Sequence, residues 1–428
     1  MQPTWQRWAA PLLNLSLLHG PFTAVVVTSA VVAAVVALGG RGSRRFIAPA
    51  AVGAAVLEAV VARLLHTHNV INDHYPPSDL VWIGAALVVV LCAPAVLRRP
   101  RSAWRAATTG SAVLLCPLAA VLVINVHYGY VTSIGDFIDA PSPDAVSAAT
   151  FAAERRAADP GASKARHGQL VSLQIPSPVA HFRHRPDSVW VPPAYFDARR
   201  PTLPVLVMLA GTPGSATAWA RSGFAVATAD DYARRHGGVA PILVFTDQNG
   251  SAFRDTECID RPGALAETYL AQDVPQFVAH SLGATVDPSR WATVGFSEGG
   301  TCALMMAVRH PSVYSHFFDI AGDAFPNVGG ADRTRLRLYG GDSVAMANHD
   351  PETYLREPHL GVSGWFVAGK LDHLHVAVAR RLDAFALHSG VAAHFFEGPG
   401  GHDWQIAAAS FQRLLPRFMS ELDGAAAT

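Results

Sequence analysis

The chain has 428 residues, which is long enough for two or more domains, and its 33 basic and 33 acidic side chains cancel to a formal net charge of zero. This balance argues against a nucleic-acid partner, because such partners are bound through an excess of positive charge. Half of the residues are hydrophobic, but they are spread unevenly. Residues 1–130 carry few charges, whereas residues 140–428 have the mixed composition of a soluble globular domain.

The first 130 residues contain four apolar runs of about 18 to 20 residues each. At a rise of about 1.5 Å per residue, a helix of this length matches a hydrocarbon core about 30 Å thick. Four such runs in succession predict a four-span transmembrane domain over residues 1–130 rather than a secretory signal peptide. The runs are 21–39, 46–65, 80–97 and 108–126.

The links between the runs predict which way this domain faces. Links 40–45 and 98–107 are rich in arginine, whereas link 66–79 contains neither lysine nor arginine. Because positively charged links stay in the cytoplasm, the two arginine links are predicted to be cytoplasmic. Link 66–79 and everything after the fourth run are then outside. The remainder of the chain is therefore expected to be tethered to the cell membrane and extracytoplasmic.

Two polar features of this region invite functional interpretation. Glu58 lies near the middle of the second run, where an ionisable group is costly and often functional. The simpler interpretation is that its carboxyl faces the interior of the bundle. Link 66–79 contains His66, His68 and His74, but histidine is also common at membrane interfaces, and a metal site needs converging ligands. No metal or cofactor is predicted.

Residues 131–167 are rich in alanine, serine, proline and charge and are interpreted as a linker, with one helix expected around residues 145–158. From residue 168 to the C-terminus, short apolar β-rich runs alternate with helical ones. This alternation predicts an α/β fold with a mostly parallel sheet covered by helices on both faces. The expected strands lie within 170–177, 187–196, 203–211, 240–250, 291–296, 364–369 and 391–401.

Ser297 lies in the segment TVGFSEGGTC, between an expected strand and an expected helix. This is the strand–turn–helix context of the G-x-S-x-G nucleophile elbow. Side chains two positions from the serine would collide in so sharp a turn, and Gly295 and Gly299 remove those collisions. Ser297 is therefore predicted to be a nucleophile.

A serine hydroxyl needs a base to accept its proton. His402 lies in GPGGHDW, directly after the last expected strand, where a glycine-rich loop lets its imidazole reach the serine. His373 and His375 are alternatives, but neither lies in a loop that follows a strand near the C-terminus. The sequence therefore favours His402 as the base.

The imidazole in turn needs a carboxylate that orients it and stabilises its charged form. Asp372 follows the expected strand GWFVAG and precedes the histidine in the chain, as the order serine, acid, histidine requires. Asp342 and Asp350 are alternatives that no clear strand precedes. Asp372 is therefore the preferred acid.

An oxyanion that forms during acyl transfer needs two N–H donors that are already in position. One is expected from the backbone of Glu298, the residue after the serine. The other is expected from the loop that follows LPVLVMLAG. Because Pro213 has no N–H, the backbone of Thr212 is the candidate.

The four cysteines divide between the two regions. Cys92 and Cys116 fall in apolar runs and are interpreted as inert thiols. Cys258 and Cys302 lie in the region predicted to be outside, where oxidising conditions permit a disulfide. A Cys258–Cys302 bridge is predicted, with two buried free thiols as the alternative.

The motifs LAGTPG, DTEC, GFSEGGTCAL, FVAGKLD and GPGGHDW together resemble the putative-esterase family over roughly residues 165–420. This group of α/β-hydrolases includes esterase D, feruloyl esterases and mycobacterial mycolyltransferases. The four-span N-terminus is similar to that of membrane-anchored actinobacterial members. The resemblance implies the nucleophile, acid, base and two oxyanion donors at Ser297, Asp372, His402, Thr212 and Glu298. The acid is Asp here, where the mycolyltransferases have Glu.

The expected function is therefore that of a membrane-anchored, outward-facing serine esterase that forms an acyl-enzyme. Its tether suggests a lipid or cell-envelope ester as substrate. An acyltransferase with the same three residues is the nearest alternative, because only the acceptor differs. The alternative of another class is a non-catalytic membrane scaffold or sensor.

Overall fold

The computed structural model describes residues 11–18, 20–39, 44–67, 76–98, 102–138, 142, 144–157, 167–357 and 360–425. The chain divides into two compact units, Met1–Ile138 and Asp139–Thr428. The boundary between them falls inside the segment expected to be a linker.

Four long helices dominate the described part of the first unit, and each is long and apolar enough to cross a membrane. Helix α4 packs against α1 and α3, and α2 packs against α3. Small side chains such as Ala30, Ala112 and Ala119 are buried between them, which lets helix backbones approach closely. A one-turn helix, α5, follows. The bounds are α1 Pro21–Leu38, α2 Arg44–Thr67, α3 Pro77–Leu97, α4 Ala103–Tyr128 and α5 Ile134–Phe137.

The Glu58 carboxyl faces a neighbouring helix. Its Oε1 lies 3.0 Å from the position that a Cβ would take at Gly84 of α3. A side chain at residue 84 would therefore crowd the carboxyl. The histidine side chains of link 66–79 lie outside the described residues.

The second unit is built around a nine-stranded sheet with the order β1-β2-β3-β5-β4-β8-β9-β10-β11. Every neighbouring pair is parallel except those made by β3, which is antiparallel to β2 and β5. The strands β6 and β7 form a separate hairpin. The strands are β1 Val146–Ser147, β2 Gln169–Leu173, β3 Asp187–Val191, β4 Val205–Leu209, β5 Ile242–Phe245, β6 Asp260–Arg261, β7 Ala264–Leu265, β8 Trp291–Phe296, β9 His316–Ile320, β10 Ser363–Gly369 and β11 Ala392–Gly398.

Helices cover both faces of this sheet, so the central strands β4 and β8 are buried at every residue. The predicted mostly parallel α/β sheet is confirmed. A π-helical turn, Tyr269–Asp273, joins α9 to α10. The helices are α6 Ala148–Ala157, α7 Ala218–Arg221, α8 Ala225–Arg235, α9 Ala266–Thr268, α10 Val274–Leu282, α11 Glu298–Arg309, α12 Ala331–Tyr339, α13 Ser343–Ala347, α14 Pro351–Leu355, α15 His373–His388 and α16 Trp404–Ala425.

Two strands of the nine-stranded sheet differ from the sequence-based expectation. Strand β9, between β8 and β10, was not expected, because HFFDI is a short apolar run that periodicity cannot distinguish from part of a helix. The segment expected to be a linker with one helix also contributes a strand to the sheet. Its residues Val146–Ser147 pair with β2, and α6 follows directly.

Candidate active site

Ser297 occupies a sharp turn between β8 and α11, with φ 59° and ψ −125°. A Cβ at Gly295 would lie 1.7 Å from the carbonyl oxygen of Gly299. A Cβ at Gly299 would lie 2.2 Å from the carbonyl oxygen of Leu209. The two glycines are therefore required sterically, and they allow the serine its left-handed backbone at the carboxyl end of the sheet.

The structure brings the three residues singled out by the sequence into one hydrogen-bonded chain. His402 Nε2 lies 2.8 Å from Ser297 Oγ, and His402 Nδ1 lies 2.8 Å from Asp372 Oδ2. When Nδ1–H donates to the carboxylate, Nε2 is left to accept the proton of the serine hydroxyl. This is the tautomer that general-base catalysis requires.

The loops after β10 and β11 are held together by backbone hydrogen bonds. Lys370 N donates to Gly398 O at 2.8 Å, and Leu371 N donates to Gly400 O at 2.9 Å. Asp372, next in the chain, begins helix α15, and its side chain accepts a hydrogen bond from the backbone N–H of His375. The carboxylate is therefore fixed beside the histidine loop by both backbone and side-chain contacts.

Asp372 is almost fully buried, and burial alone would raise the pKa of its carboxyl. Hydrogen bonds and charges from His375 and His402 outweigh burial and hold that pKa well below its usual value. The carboxylate therefore stays ionised across the physiological pH range, as stabilisation of an imidazolium requires.

The alternative acids have structural roles. Asp342 caps α13 by accepting hydrogen bonds from the backbone N–H groups of Val344 and Ala345. Asp350 caps α14 by accepting from the backbone N–H of Glu352. Both side chains satisfy the N–H groups of a helix end, which is a common use of aspartate.

His375, which the sequence offered only as an alternative base, contacts the second carboxylate oxygen of Asp372, and its ring centroid lies 4.4 Å from that of His402. Its Nδ1 is 2.7 Å from Asp372 Oδ1, and its Nε2 is 3.5 Å from Asp323 Oδ1. Burial lowers the pKa of His375, but the two carboxylates outweigh burial and raise the pKa to about 10. The spacing of Asp372 and His375, three residues apart at the start of a helix, was the signal that could have revealed this contact.

The loop predicted to supply an oxyanion donor packs against the nucleophile. A Cβ at Gly211 would lie 2.9 Å from Ser297 Cβ, so only glycine allows this approach. Thr212 follows Gly211 directly. Glu298 is the first residue of α11, so its backbone N–H has no acceptor within the helix. Both predicted donors therefore belong to backbone segments that adjoin Ser297.

The side chain of Glu298 has a role that a G-x-S-x-G pattern does not reveal, since its fourth position accepts any residue. It is buried, and its Oε2 accepts hydrogen bonds from Thr212 Oγ1 at 2.6 Å and Asn249 Nδ2 at 2.7 Å. Burial, with the negative charge of Asp255, raises the pKa of this carboxyl well above its usual value. The Glu298 side chain thus connects the elbow to the Thr212 loop.

Replacing Glu298 by alanine should therefore lower kcat/KM for a p-nitrophenyl ester by about 10- to 100-fold, because a misplaced oxyanion donor is costly. Glu298→Gln should stay within about 3-fold of wild type, since its amide oxygen can accept both hydrogen bonds. Rates are normalised to active sites counted by titration. Wild-type kcat/KM in the alanine variant would contradict this role.

Cys258 and Cys302 form a disulfide that spans 44 residues of sequence. Cys302 is buried in α11, one turn beyond Ser297, whereas Cys258 lies in the loop region after β5. The bridge therefore ties the nucleophile helix to that region. Cys92 and Cys116 are free and buried in the first unit.

Three groups at the site lie close enough together to be considered as metal ligands, namely Asp372, His375 and His402. Both ring nitrogens of His402 are engaged, one with Asp372 and the other with Ser297. This is the hydrogen-bonding pattern of proton transfer from the serine hydroxyl. In a second such group, Cys258, Cys302 and Glu298, the two sulfur atoms are joined in the disulfide.

Residues 183–327 match the family model described as "Putative esterase". An uncharacterized protein of Corynebacterium glutamicum, Cgl0967/cg1104, is 32% identical over 337 residues, covering 76% of this chain and 78% of the relative. The chain belongs to the putative esterase family. A ferulic acid esterase structure, 18% identical, covers 60% of this chain and 99% of its own length with a TM-score of 0.52.

Family membership confirms two predictions made from the sequence. The fold is that of an α/β-hydrolase, as the similarity to the ferulic acid esterase structure shows. The protein is an enzyme of the serine ester hydrolase group, which either hydrolyses esters or transfers acyl groups.

Proposed function

We propose that this protein is a membrane-anchored esterase that cleaves acyl esters outside the cytoplasm, with Ser297 as nucleophile, His402 as base and Asp372 as acid. The observation that carries the proposal is the pair of 2.8 Å contacts that link Ser297 Oγ to His402 and His402 to Asp372. The strained backbone of Ser297 at the start of α11 supports it, because this presents the hydroxyl at the carboxyl end of the sheet.

The reaction follows from this geometry. Ser297 Oγ attacks the ester carbonyl carbon while its proton passes to His402 Nε2, and Asp372 stabilises the resulting imidazolium. The backbone N–H groups of Thr212 and Glu298 would hold the oxyanion of the tetrahedral intermediate. The alcohol leaves with the proton from His402, and an acyl-enzyme remains. Water then attacks the acyl group and gives a proton to His402. His402 passes that proton to Ser297 Oγ as the acid is released, which restores the serine hydroxyl and the neutral base.

Exposed apolar side chains on the surrounding loops support an apolar acyl group in the substrate. The best placed is Phe253. Its two neighbours in the chain, Ala252 and Arg254, have backbone carbonyl oxygens that contact the loop predicted to hold the oxyanion. Gly214 N donates to Ala252 O at 3.1 Å, and Thr212 Oγ1 lies 3.3 Å from Arg254 O. The exposed large apolar residues of the loops after β5, β9 and β10 and of the adjoining start of α15 are Phe253, Phe325, Leu371 and Leu374.

Two observations support an extracytoplasmic site and a lipid or cell-envelope ester as substrate. The described residues contain an even number of candidate spans, four, and the arginine-rich links between them support a second unit that lies outside the cytoplasm. The Cys258–Cys302 disulfide suits an oxidising compartment. An enzyme anchored at the outer surface of a membrane meets esters of that surface at high local concentration.

The proposal is tested by treating intact cells that express the full chain with a membrane-impermeant fluorophosphonate probe. Wild type should be labelled, and Ser297→Ala should not be labelled at equal expression. Labelling that requires permeabilised cells would overturn the orientation. Absence of labelling in wild type, or labelling that persists in Ser297→Ala, would overturn the assignment of the nucleophile.

Hydrolysis and acyl transfer share every step up to the acyl-enzyme. They are separated by product analysis of a p-nitrophenyl ester reaction with and without an added alcohol such as glycerol. We expect free acid as the main product in both cases. An acylated alcohol as the main product would instead make the protein a transferase.

A further inference from the structure

Two histidines share the Asp372 carboxylate. His402 Nδ1 contacts Oδ2 at 2.8 Å, whereas His375 approaches Oδ1 with its Nδ1 at 2.7 Å and its backbone N at 3.2 Å. Orientation of the base by an acid needs only the first of these contacts. The second histidine is buried, with 9% of its side chain exposed, so it is held in place rather than free to reorient.

Each ring nitrogen of His375 faces a carboxylate. Nδ1 faces Asp372, and Nε2 lies 3.5 Å from Asp323 Oδ1. A neutral imidazole has one N–H donor, whereas an imidazolium has two and can donate toward both carboxylates. The geometry therefore calls for the charged form of the ring. Its other charged or titratable neighbours are Asp319, at the end of β9, and His402, whose ring centroid is 4.4 Å away.

We propose that His375 is a positioning residue for ester cleavage, a permanent imidazolium between Asp372 and Asp323 that acts on the base His402 through their shared carboxylate. This inference rests on the proposed roles of Ser297, His402 and Asp372. The contact of His375 with Oδ1 fixes the rotation of the Asp372 carboxylate. It thereby holds Oδ2 within hydrogen-bonding distance of His402 Nδ1. Its positive charge lies beside the His402 ring, with 4.4 Å between the ring centroids, and repels a second positive charge there. Removing it should therefore change the pH dependence of activity.

The sign of this effect gives the test. His375→Asn keeps an N–H donor near Asp372 Oδ1. It removes the positive charge of the imidazolium and the contact with Asp323. Protonation of His402 then becomes easier, so the acidic limb of the kcat/KM profile should move to higher pH. Two unit charges 4.4 Å apart change a protonation equilibrium by about 0.7 pH units even at the dielectric constant of water. We therefore expect a shift of about one unit.

Asp323→Asn should move the same limb in the opposite direction. It removes a negative charge from beyond His375, but the asparagine Oδ1 can still accept from Nε2–H, and Asp372 still faces Nδ1. The ring therefore keeps an acceptor at each nitrogen and stays charged, so protonation of His402 becomes harder. His373→Asn is the matched control, because this exposed histidine lies on the same helix two residues away. It should leave the profile unchanged. The three variants and wild type are compared as full chains in detergent from pH 4.5 to 9 with p-nitrophenyl butyrate.

An unchanged limb in either His375→Asn or Asp323→Asn, or a shift opposite to the one expected, would overturn the proposal. A purely structural role of His375 would lower the amount of active enzyme without moving the limb. If His375→Asn does not fold, the Asp323→Asn variant decides the proposal alone. A shift of its acidic limb to lower pH supports the proposal, and any other result overturns it. If the acidic limbs of all variants coincide with that of wild type while fluorophosphonate labelling still requires Ser297, the proposed role of His375 is wrong. The proposed esterase function then still stands.

Discussion

Replacing Asp372 by asparagine should lower kcat/KM for a simple ester by about 10³- to 10⁴-fold. Asparagine has the same shape, but it has no charge to stabilise the imidazolium that forms when His402 accepts the serine proton. Its NH₂ group can also face a ring nitrogen and favour the wrong tautomer of the histidine. Asp372 receives hydrogen bonds from both His375 and His402, so the substitution affects both rings at once.

The two alternative acids provide matched controls for this measurement. Asp342→Asn and Asp350→Asn should retain kcat/KM within about 2-fold, because asparagine caps a helix about as well as aspartate. Each variant is assayed with p-nitrophenyl butyrate, and its folded fraction is measured by thermal unfolding. The assignment would be wrong if either control lost activity as severely as Asp372→Asn, or if Asp372→Asn retained more than a tenth of wild-type activity.

The residues that the sequence could identify are those whose role depends on their position along the chain. Ser297 follows a strand and lies between glycines that the turn requires sterically. Asp372 and His402 each follow a later strand, and the strands of a parallel sheet end at a common edge. Their meeting at that edge therefore follows from the order of elements. The distances between them depend on loops whose conformations the sequence pattern does not specify.

The roles that the sequence did not identify depend on side-chain contacts between distant segments. Glu298 contacts Asn249 across the site, and His375 contacts Asp323, which lies in the loop after β9. That strand was itself not expected, because a segment as short as HFFDI, with three apolar residues, fits either a helix or a strand. Without β9, nothing in the pattern placed Asp323 near the start of α15.

Removing the disulfide should lower the free energy of unfolding of the second unit by about 4 kcal/mol, the chain-entropy value for a loop of about 44 residues. For a unit of this size, that corresponds to a fall in the thermal midpoint of about 7 °C. The bridged helix begins at the nucleophile, so unfolding near Cys302 would also displace Ser297. The loss of activity on heating should therefore follow the loss of structure.

The measurement uses Cys258→Ala/Cys302→Ala and, as the control, Cys92→Ala/Cys116→Ala, which removes the two free thiols of the first unit. Full chains in detergent are heated for a fixed time, and the remaining fluorophosphonate labelling gives a midpoint of inactivation. The first variant should lose labelling at a lower temperature, because its unfolded chain regains the freedom that the bridge removes. The control should match wild type in this assay, since its substitutions leave the bridge intact. A midpoint within about 2 °C of wild type in the first variant would mean that the helix of Ser297 is held by packing alone.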